Sequence, residues 1–506
     1  MRQATGIIVA IGLLGPAARG LYAQFDWGVD QLVATGEIGR LGVAADRTPG
    51  NDTVFLGVVQ ASSQADTIRV FRTTDRGQSW TELWKEKTPG RRIENLRLKV
   101  LTGIEQWVCL FWILRDSFNN GDIAGVRVAL DGSVIEPFYP TRPGDPDTIA
   151  WLAVARSFTQ PTVVDIFWQD EVGLVGQSRR PVIRHSMSTD YGRTWTGAQT
   201  LLEGFETPAS DYGAPRHVFV AARSLERRDI GVVRTTDGGQ SWDFRWVSID
   251  TTRYEDMFPS VAATHDSAAD ARIWVSYDSY RPTGGWSVRY AFSSNDGDTW
   301  FLNQSLASTI ASEYWSVLDC AGFGSRRVRV AYLSNERGRF DVVYRTCDGI
   351  RPTRWSVPIA VSDREVSNAV PPVVTNFGTA DDSLNQGLVF FSDPGPRNVW
   401  CDAYQFIGAV EDEDHASTTV RGGQGVRCRF VPPGRLLVQF ELEEGGWTWL
   451  EVTSASGRHL HRVPLGFLAA GSHEVDVPMP NISRGAYFLQ IRNQASRMAG
   501  RGILVR

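Results

Sequence analysis

The chain has 506 residues, a formal net charge of −5 and no long basic block, which excludes generic nucleic-acid binding through clustered Lys and Arg. Its length exceeds one ordinary core, so it needs either several domains or a repeat architecture. A hydrophobic fraction of 42% with 18 Trp excludes disorder over most of the chain.

Residues 1–23 read as an export signal: Arg2, an apolar run Ile7–Leu14, then a small-residue exit ending at Leu21–Ala23. The run is too short to span a bilayer comfortably, and no later segment reads as transmembrane. The mature chain is therefore expected to pass through the periplasm and to be secreted or held at the cell surface. Its five cysteines, Cys109, Cys320, Cys347, Cys401 and Cys428, are widely spaced and contain no CxxC. No disulfide pairing follows from them, and neither a metal nor a cofactor is expected.

From residue 24 to 407 a short motif recurs. "TTDRGQSW" (Thr73–Trp80), "STDYGRTW" (Ser188–Trp195), "TTDGGQSW" (Thr235–Trp242) and "SSNDGDTW" (Ser293–Trp300) each follow an alternating strand. "VALDGSVIEP" (Val128–Pro137) is a degenerate copy, and "YRTCDGIRPTRW" (Tyr344–Trp355) keeps Asp348, Gly349 and Trp355. Three strands, the box and a fourth strand make a unit of about fifty residues, the mark of a β-propeller blade. Sets begin near Ile38, Asn95, Thr148, Glu206, Asp256, Tyr314 and Ala369, which gives seven blades. A short first strand in blade 4 leaves six as the alternative. The last set lacks a box, and Phe25–Ala34 is expected to supply its fourth strand. The fold class is all-β.

Each box is expected to be turn chemistry. The Asp carboxylate accepts backbone N–H groups, the Gly takes positive φ, the hydroxyl adds a local bond and the Trp packs back onto its own blade.

These boxes resemble the Asp-box, or BNR, repeats of sialidase-like propellers, over roughly Ile38–Phe406. The resemblance implies a site with three convergent arginines, an Asp acid and a Tyr nucleophile paired with a Glu. Arg40 in "GRLGVAADR" matches the first arginine, with Leu41-Gly42 in place of Ile-Pro. Tyr314 in "EYWSVL" stands where the nucleophile does, and Glu336 follows the next strand. No second or third arginine and no acid can be matched.

The residues expected to open each first strand, and so to ring the channel mouth away from the boxes, are Arg40, Glu94, Asp147, Asp211, Glu255 with Asp256, Glu313 with Tyr314, and Asn368. Carboxylates outnumber the arginine, so the mouth is expected to repel an acidic sugar. Tyr280, Trp286 and Trp315 lie in loops on that face, either packing or stacking on sugar rings. His185 and His217 read as packing positions, and HExxH, GxSxG and phosphate-loop patterns are absent from the sequence. The expected role is binding, with a carbohydrate as the ligand to test; the alternative is an exo-sialidase-type hydrolase.

Residues 408–425 are acidic, then small, and read as a linker; Glu411–His415 reads as solvated charge rather than a metal site. Residues 426–506 alternate as the strands of a small β-sandwich. "SASGRHL" (Ser454–Leu460), "AAGSHEVDV" (Ala469–Val477), "RGAYFLQI" (Arg484–Ile491) and the basic final strand resemble the C-terminal sorting domain of the type IX secretion route of Bacteroidetes-like bacteria, with "VPPGRLLVQF" in place of the Pro-Asn-Pro opening. That resemblance implies secretion machinery as a partner.

Overall fold

The computed structural model describes residues 23–505 except 28–29, 46–52, 118–119, 142–147, 158, 173–178, 214–215, 250–254, 265–270, 282–284, 307–310, 321–326, 349–353, 377–386, 396, 410–426, 432–434, 443–445, 455–458, 479–485 and 494–499. All described elements are strands or turns, and no described helix is long and apolar enough to cross a membrane. The chain divides into a larger unit, 29–382 with 386–403, and a smaller one, 1–28 with 383–385 and 404–506.

The larger unit is a seven-bladed propeller of antiparallel sheets, four strands (A to D) to a blade. Blade 1 is Ile38–Ala45, Val54–Gln60, Ala65–Thr73 and Thr81–Pro89. The other A strands are Arg92–Thr102, Trp151–Arg156, Phe205–Tyr212, Glu255–Ala263, Glu313–Cys320 and Val373–Asn376. They contact one another in a closed ring. Blade 4 keeps a full A strand, so seven is the count and six is set aside. Blade 7 is completed by Gln31–Ala34, which pairs with Val399, Trp400 and Cys401; the N-terminal stretch thus closes the ring as expected. Without that pairing, blade 7 would leave an unpaired edge strand beside blade 1.

The core lies between blades rather than in a central mass. Blades 1 and 2 share Phe55, Ile68, Trp84, Leu98, Leu110 and Val126; blades 2 and 3 share Phe111, Ile113, Phe138, Leu152 and Trp168. Strand B of blade 2, Gln106–Arg115, is buried on both faces, which explains its unbroken apolar run "WVCLFWIL". Cys109, Cys320, Cys347 and Cys401 are buried, and burial pushes the Cys109 thiol up to about 12. The Cys428 side chain lies outside the described residues.

The boxes form the C–D turns. In blade 3 the Ser188 hydroxyl donates to Asp190 Oδ1 (2.8 Å) and accepts the Gly192 N–H (2.8 Å). Asp190 Oδ1 accepts the Thr194 N–H (2.8 Å), and Oδ2 accepts the Thr194 hydroxyl (2.6 Å). Gly192 has φ 84°, as the turn requires. Asn295 reproduces the pattern in blade 5. One expectation fails: each Trp packs on the preceding blade, not its own. Trp80 meets Phe390 of blade 7, Trp195 meets Phe111 and Phe138 of blade 2, and Trp242 meets Phe167 and His185 of blade 3. The turn aims the indole sideways into the interblade seam, where apolar surface is available to bury. The box is therefore a clamp between blades. Trp355 keeps this contact, on Tyr290 of blade 5, although 349–353 of its box lie outside the described residues.

In the smaller unit, Ala23–Trp27 pairs with Tyr404–Ala409. Arg427–Val431, Arg435–Leu442 and Gly471–Pro478 form one sheet, and Gly446–Ser454, His459–Leu468, Ala486–Asn493 and Gly500–Val505 another. Leu436, Val438, Phe440, Leu450, Val452 and Ile491 are buried in the core the two sheets share, the expected sandwich. Nearly all of the expected linker, 410–425, lies outside the described residues.

Candidate functional site

The A strands begin at the end of the propeller opposite the boxes. In blades 2, 4, 5 and 6 each carries a β-bulge near its start, one extra residue against strand B. In these four blades the first bulged residue is left-handed: Asn95 (φ 52°), Thr207 (52°), Phe258 (48°) and Trp315 (57°). Such a conformation costs a non-glycine residue about 1–3 kcal/mol, most for β-branched and bulky side chains.

The bulge frees backbone N–H groups that need partners. In blades 4 and 6, strand B of the preceding blade supplies them. Gln169 Oε1 accepts the Thr207 N–H at 3.1 Å. Asp278 accepts the N–H of Trp315 (2.7 Å), the N–H of Ser316 (3.3 Å) and the Ser316 hydroxyl (3.2 Å). Asp278 is 1% exposed, and burial outweighs these hydrogen bonds and lifts its carboxyl to about 7.

The bulges turn aromatic side chains toward the central channel, a cavity of about 590 Å³ lined by all seven A strands. Phe258 and Trp315 meet at 4.5 Å between ring centroids, and Trp151 lies 5.9 Å from Phe258. All three line the cavity and are half-buried. The Trp315 Nε1–H reaches the Asn368 carbonyl at 3.3 Å, which fixes the indole.

Arg40 is exposed at the same end of the channel. The structure adds a second cation there, Arg97, the residue that follows the blade 2 bulge. Arg97 faces channel water but is ringed by protein; this desolvation first, and the charge of Arg40 second, hold its guanidinium down at about 10. It remains a cation at neutral pH. The signal for it was the strict alternation of "LRLKV", which sets Arg97 and Lys99 on the strand face opposite the buried Leu96, Leu98 and Val100.

The expected acidic mouth is corrected. Glu94 is paired with Arg115 (2.6 Å) and Glu255 with Arg228 (2.6 Å). Asp256 and Glu313 are buried, each 2% exposed. Asp211 lies near the far end of its strand and accepts the Ala263 N–H at 3.0 Å. Asp147 falls outside the described residues. Counting charges by position in sequence ignored arginines that the B strands and their turns bring to those carboxylates.

Tyr314 is not among the cavity-lining residues; the bulge gives that position to Trp315. Tyr314 packs against Phe340 (5.6 Å), Trp286 (6.5 Å) and Trp315 (6.4 Å). Burial raises its phenol pKa; a hydrogen bond with Asn368 opposes this and the Asp278 charge adds to it. Glu336 is exposed in the B–C turn of blade 6, and its charge acts on Tyr332. Arg40, Tyr314 and Glu336 therefore share one end of the propeller, with Arg40 alone on the cavity wall. His185 is a packing residue as expected, between Phe167 and Trp242, with its Nε2 at 2.6 Å from Asp165 Oδ1. His217 Nδ1 lies 3.0 Å from Asp296 Oδ1.

No known family model matches the chain. A stretch of 117 residues is 29% identical to a sialidase of Paraclostridium sordellii, covering 20% of this chain and 27% of that protein. The chain thus spans about a quarter of the length of that curated relative. Similar solved structures include a protein of unknown function from Dyadobacter fermentans (TM-score 0.45, 13% identity, 75% of this chain and 98% of that one). A Hadza microbial sialidase (0.41, 16%, 59% and 63%) and an α-L-arabinofuranosidase of Fusarium graminearum with arabinobiose (0.45, 10%, 74% and 97%) are others. Likenesses this distant carry no argument about chemistry. The chain contains a seven-bladed β-propeller with a short, weak likeness to a sialidase.

Proposed function

We propose that the propeller binds an acidic carbohydrate at the bulge end of its channel. The observation that carries this reading is the Phe258–Trp315 pair over the cavity, both residues held in a left-handed conformation, with Arg40 and Arg97 on the same cavity wall. Strain kept at two neighbouring aromatics points to function rather than to folding alone. Sugar rings present C–H faces to aromatic planes, and a carboxylate suits guanidinium donors. A glycan array probed with the purified mature chain tests this. Binding to carboxylated glycans that Arg97→Ala weakens at least tenfold is expected; binding only to neutral glycans, or to none, overturns it.

The second reading is an exo-sialidase-type hydrolase using Arg40, Tyr314 and Glu336. The match to a sialidase and the Arg40–Arg97 pair favour it. Against it stand the raised phenol of Tyr314 and its place beside the cavity rather than on its wall. Turnover of a chromogenic sialoside that Arg40→Ala abolishes would establish hydrolysis over binding.

We further propose that the protein is exported, with residues 1–23 as the signal and 426–506 as the sorting domain. The order of residue types in both segments supports this. Deleting 426–506 is expected to leave a folded propeller in the periplasm, and fusing the segment to an exported reporter to carry it outside. A reporter that stays periplasmic while the truncated propeller is still released would make the tail an ordinary sandwich.

A further inference from the structure

An aromatic path continues outward from the channel. Beyond Trp315 come Tyr314, then Trp286 and Tyr280 on the B–C hairpin of blade 5. Trp286 and Tyr280 are a cross-strand pair of that hairpin, with ring centroids 5.1 Å apart. Tyr280 is 39% exposed and Trp286 half-buried. Successive rings are tilted by 62°, 58° and 52°, so no ring covers its neighbour's face in a stack. This path is made of Trp and Tyr rings alone, each apolar on its face and polar at its tip.

We infer that this path is a row of further saccharide subsites, and that the ligand is an oligosaccharide running from the channel over blade 5 rather than a single sugar. The inference rests on the carbohydrate reading of the channel. It adds the length of the ligand and its direction. Continuity settles the occupant: the row begins at the ring that lines the cavity, so a chain held there by one sugar passes over Tyr314, Trp286 and Tyr280 in turn.

The test is a glycan array holding mono-, di-, tri- and tetrasaccharides of each sugar class, probed with the mature wild type, Trp286→Ala and Tyr280→Ala. Affinities for the best series are then measured by calorimetry. Wild type is expected to prefer the tri- or tetrasaccharide to the monosaccharide by about tenfold or more. Trp286→Ala should remove most of that preference and leave monosaccharide affinity unchanged. Tyr280→Ala, at a more exposed position, should remove part of it, and it guards against a folding defect in the first variant. Equal affinity for all lengths, or a length preference that survives both substitutions, overturns the subsites and leaves the channel reading standing. Binding to no member of any series overturns both.

Discussion

The box turns and the strand-opening bulges are the two recurring irregularities of the propeller, and they lie at opposite ends of its strands. At the box end both backbone and side chains repeat: a hydroxyl, an Asp or Asn, a Gly and a Trp, making the same bonds in blades 1, 3, 4 and 5. At the bulge end only the backbone repeats. Asn95, Thr207, Phe258 and Trp315 share one conformation, but their side chains range from an amide and a hydroxyl to two aromatic rings. A position whose side chain stays the same from blade to blade is answering to the fold, which asks the same of every blade. A position that keeps a strained backbone while its side chain changes is answering to something that touches one side of the ring.

Electrostatics separates the ends in the same way. For Asp190, burial pushes the carboxyl up, but the hydrogen bonds from Thr194, Ser188 and Arg193 together bring it below the usual value. For Asp278, burial wins and the carboxyl rises to about 7.

The largest effect should come from a clamp indole. Trp195→Ala removes the ring that Phe111 and Phe138 pack against, and about 3 kcal/mol of stability should be lost in urea unfolding. A loss under about 1 kcal/mol would mean that the boxes do not hold blades together.

Next is Asp190→Ala, which strips acceptors from Ser188 and Thr194 in a partly exposed turn; about 1–2 kcal/mol is expected. Carbohydrate affinity below the melting range should be unchanged. An altered affinity with unaltered stability would reverse the roles of the two ends.

The pH dependences should then have opposite signs. The lowered Asp190 carboxyl contributes stability above pH about 4 that is lost as pH falls through its folded value. Folded Asp278 keeps, between pH about 4 and about 7, a proton that the unfolded chain releases. Stability from this group therefore falls as pH rises across that window and is level above it. Asp278→Asn should flatten the wild-type slope between pH 4.5 and 7.5, measured by urea unfolding. Parallel slopes would show that Asp278 does not titrate there. Asp256, raised to about 6 by burial, acts in the same direction and should leave a residual slope.

The smallest effect is expected at Thr207, a β-branched residue at φ 52° whose buried Oγ1 has no hydrogen-bond partner among the described residues. Thr207→Gly relieves the conformation and removes that hydroxyl, at the entropic cost of glycine. Stability should rise by up to about 1 kcal/mol. A loss above about 2 kcal/mol would mean that the bulge is not strained.

The repeat made the propeller legible. The box spacing located the C–D turns, the alternating runs located the strands, and the closing strand followed from the one incomplete blade. The mouth was less legible, because a bulge inserts one residue and so changes which neighbour faces the channel. Trp315 rather than Tyr314 lines the cavity for that reason. Arg97 was missed because only residues opening each strand were counted, and the carboxylates of the mouth were counted without the arginines that pair with them. The direction of the box indoles was hidden for a related reason: a turn motif fixes its own bonds but says nothing of which blade stands beside it.

The most direct test of the division between a structural end and a ligand end is the calorimetric affinity of Trp315→Ala for the best glycan from the array, measured beside Asp190→Ala. Trp315→Ala is expected to lose at least tenfold while Asp190→Ala binds as wild type does. Wild-type affinity in Trp315→Ala together with lost binding in Asp190→Ala would contradict it.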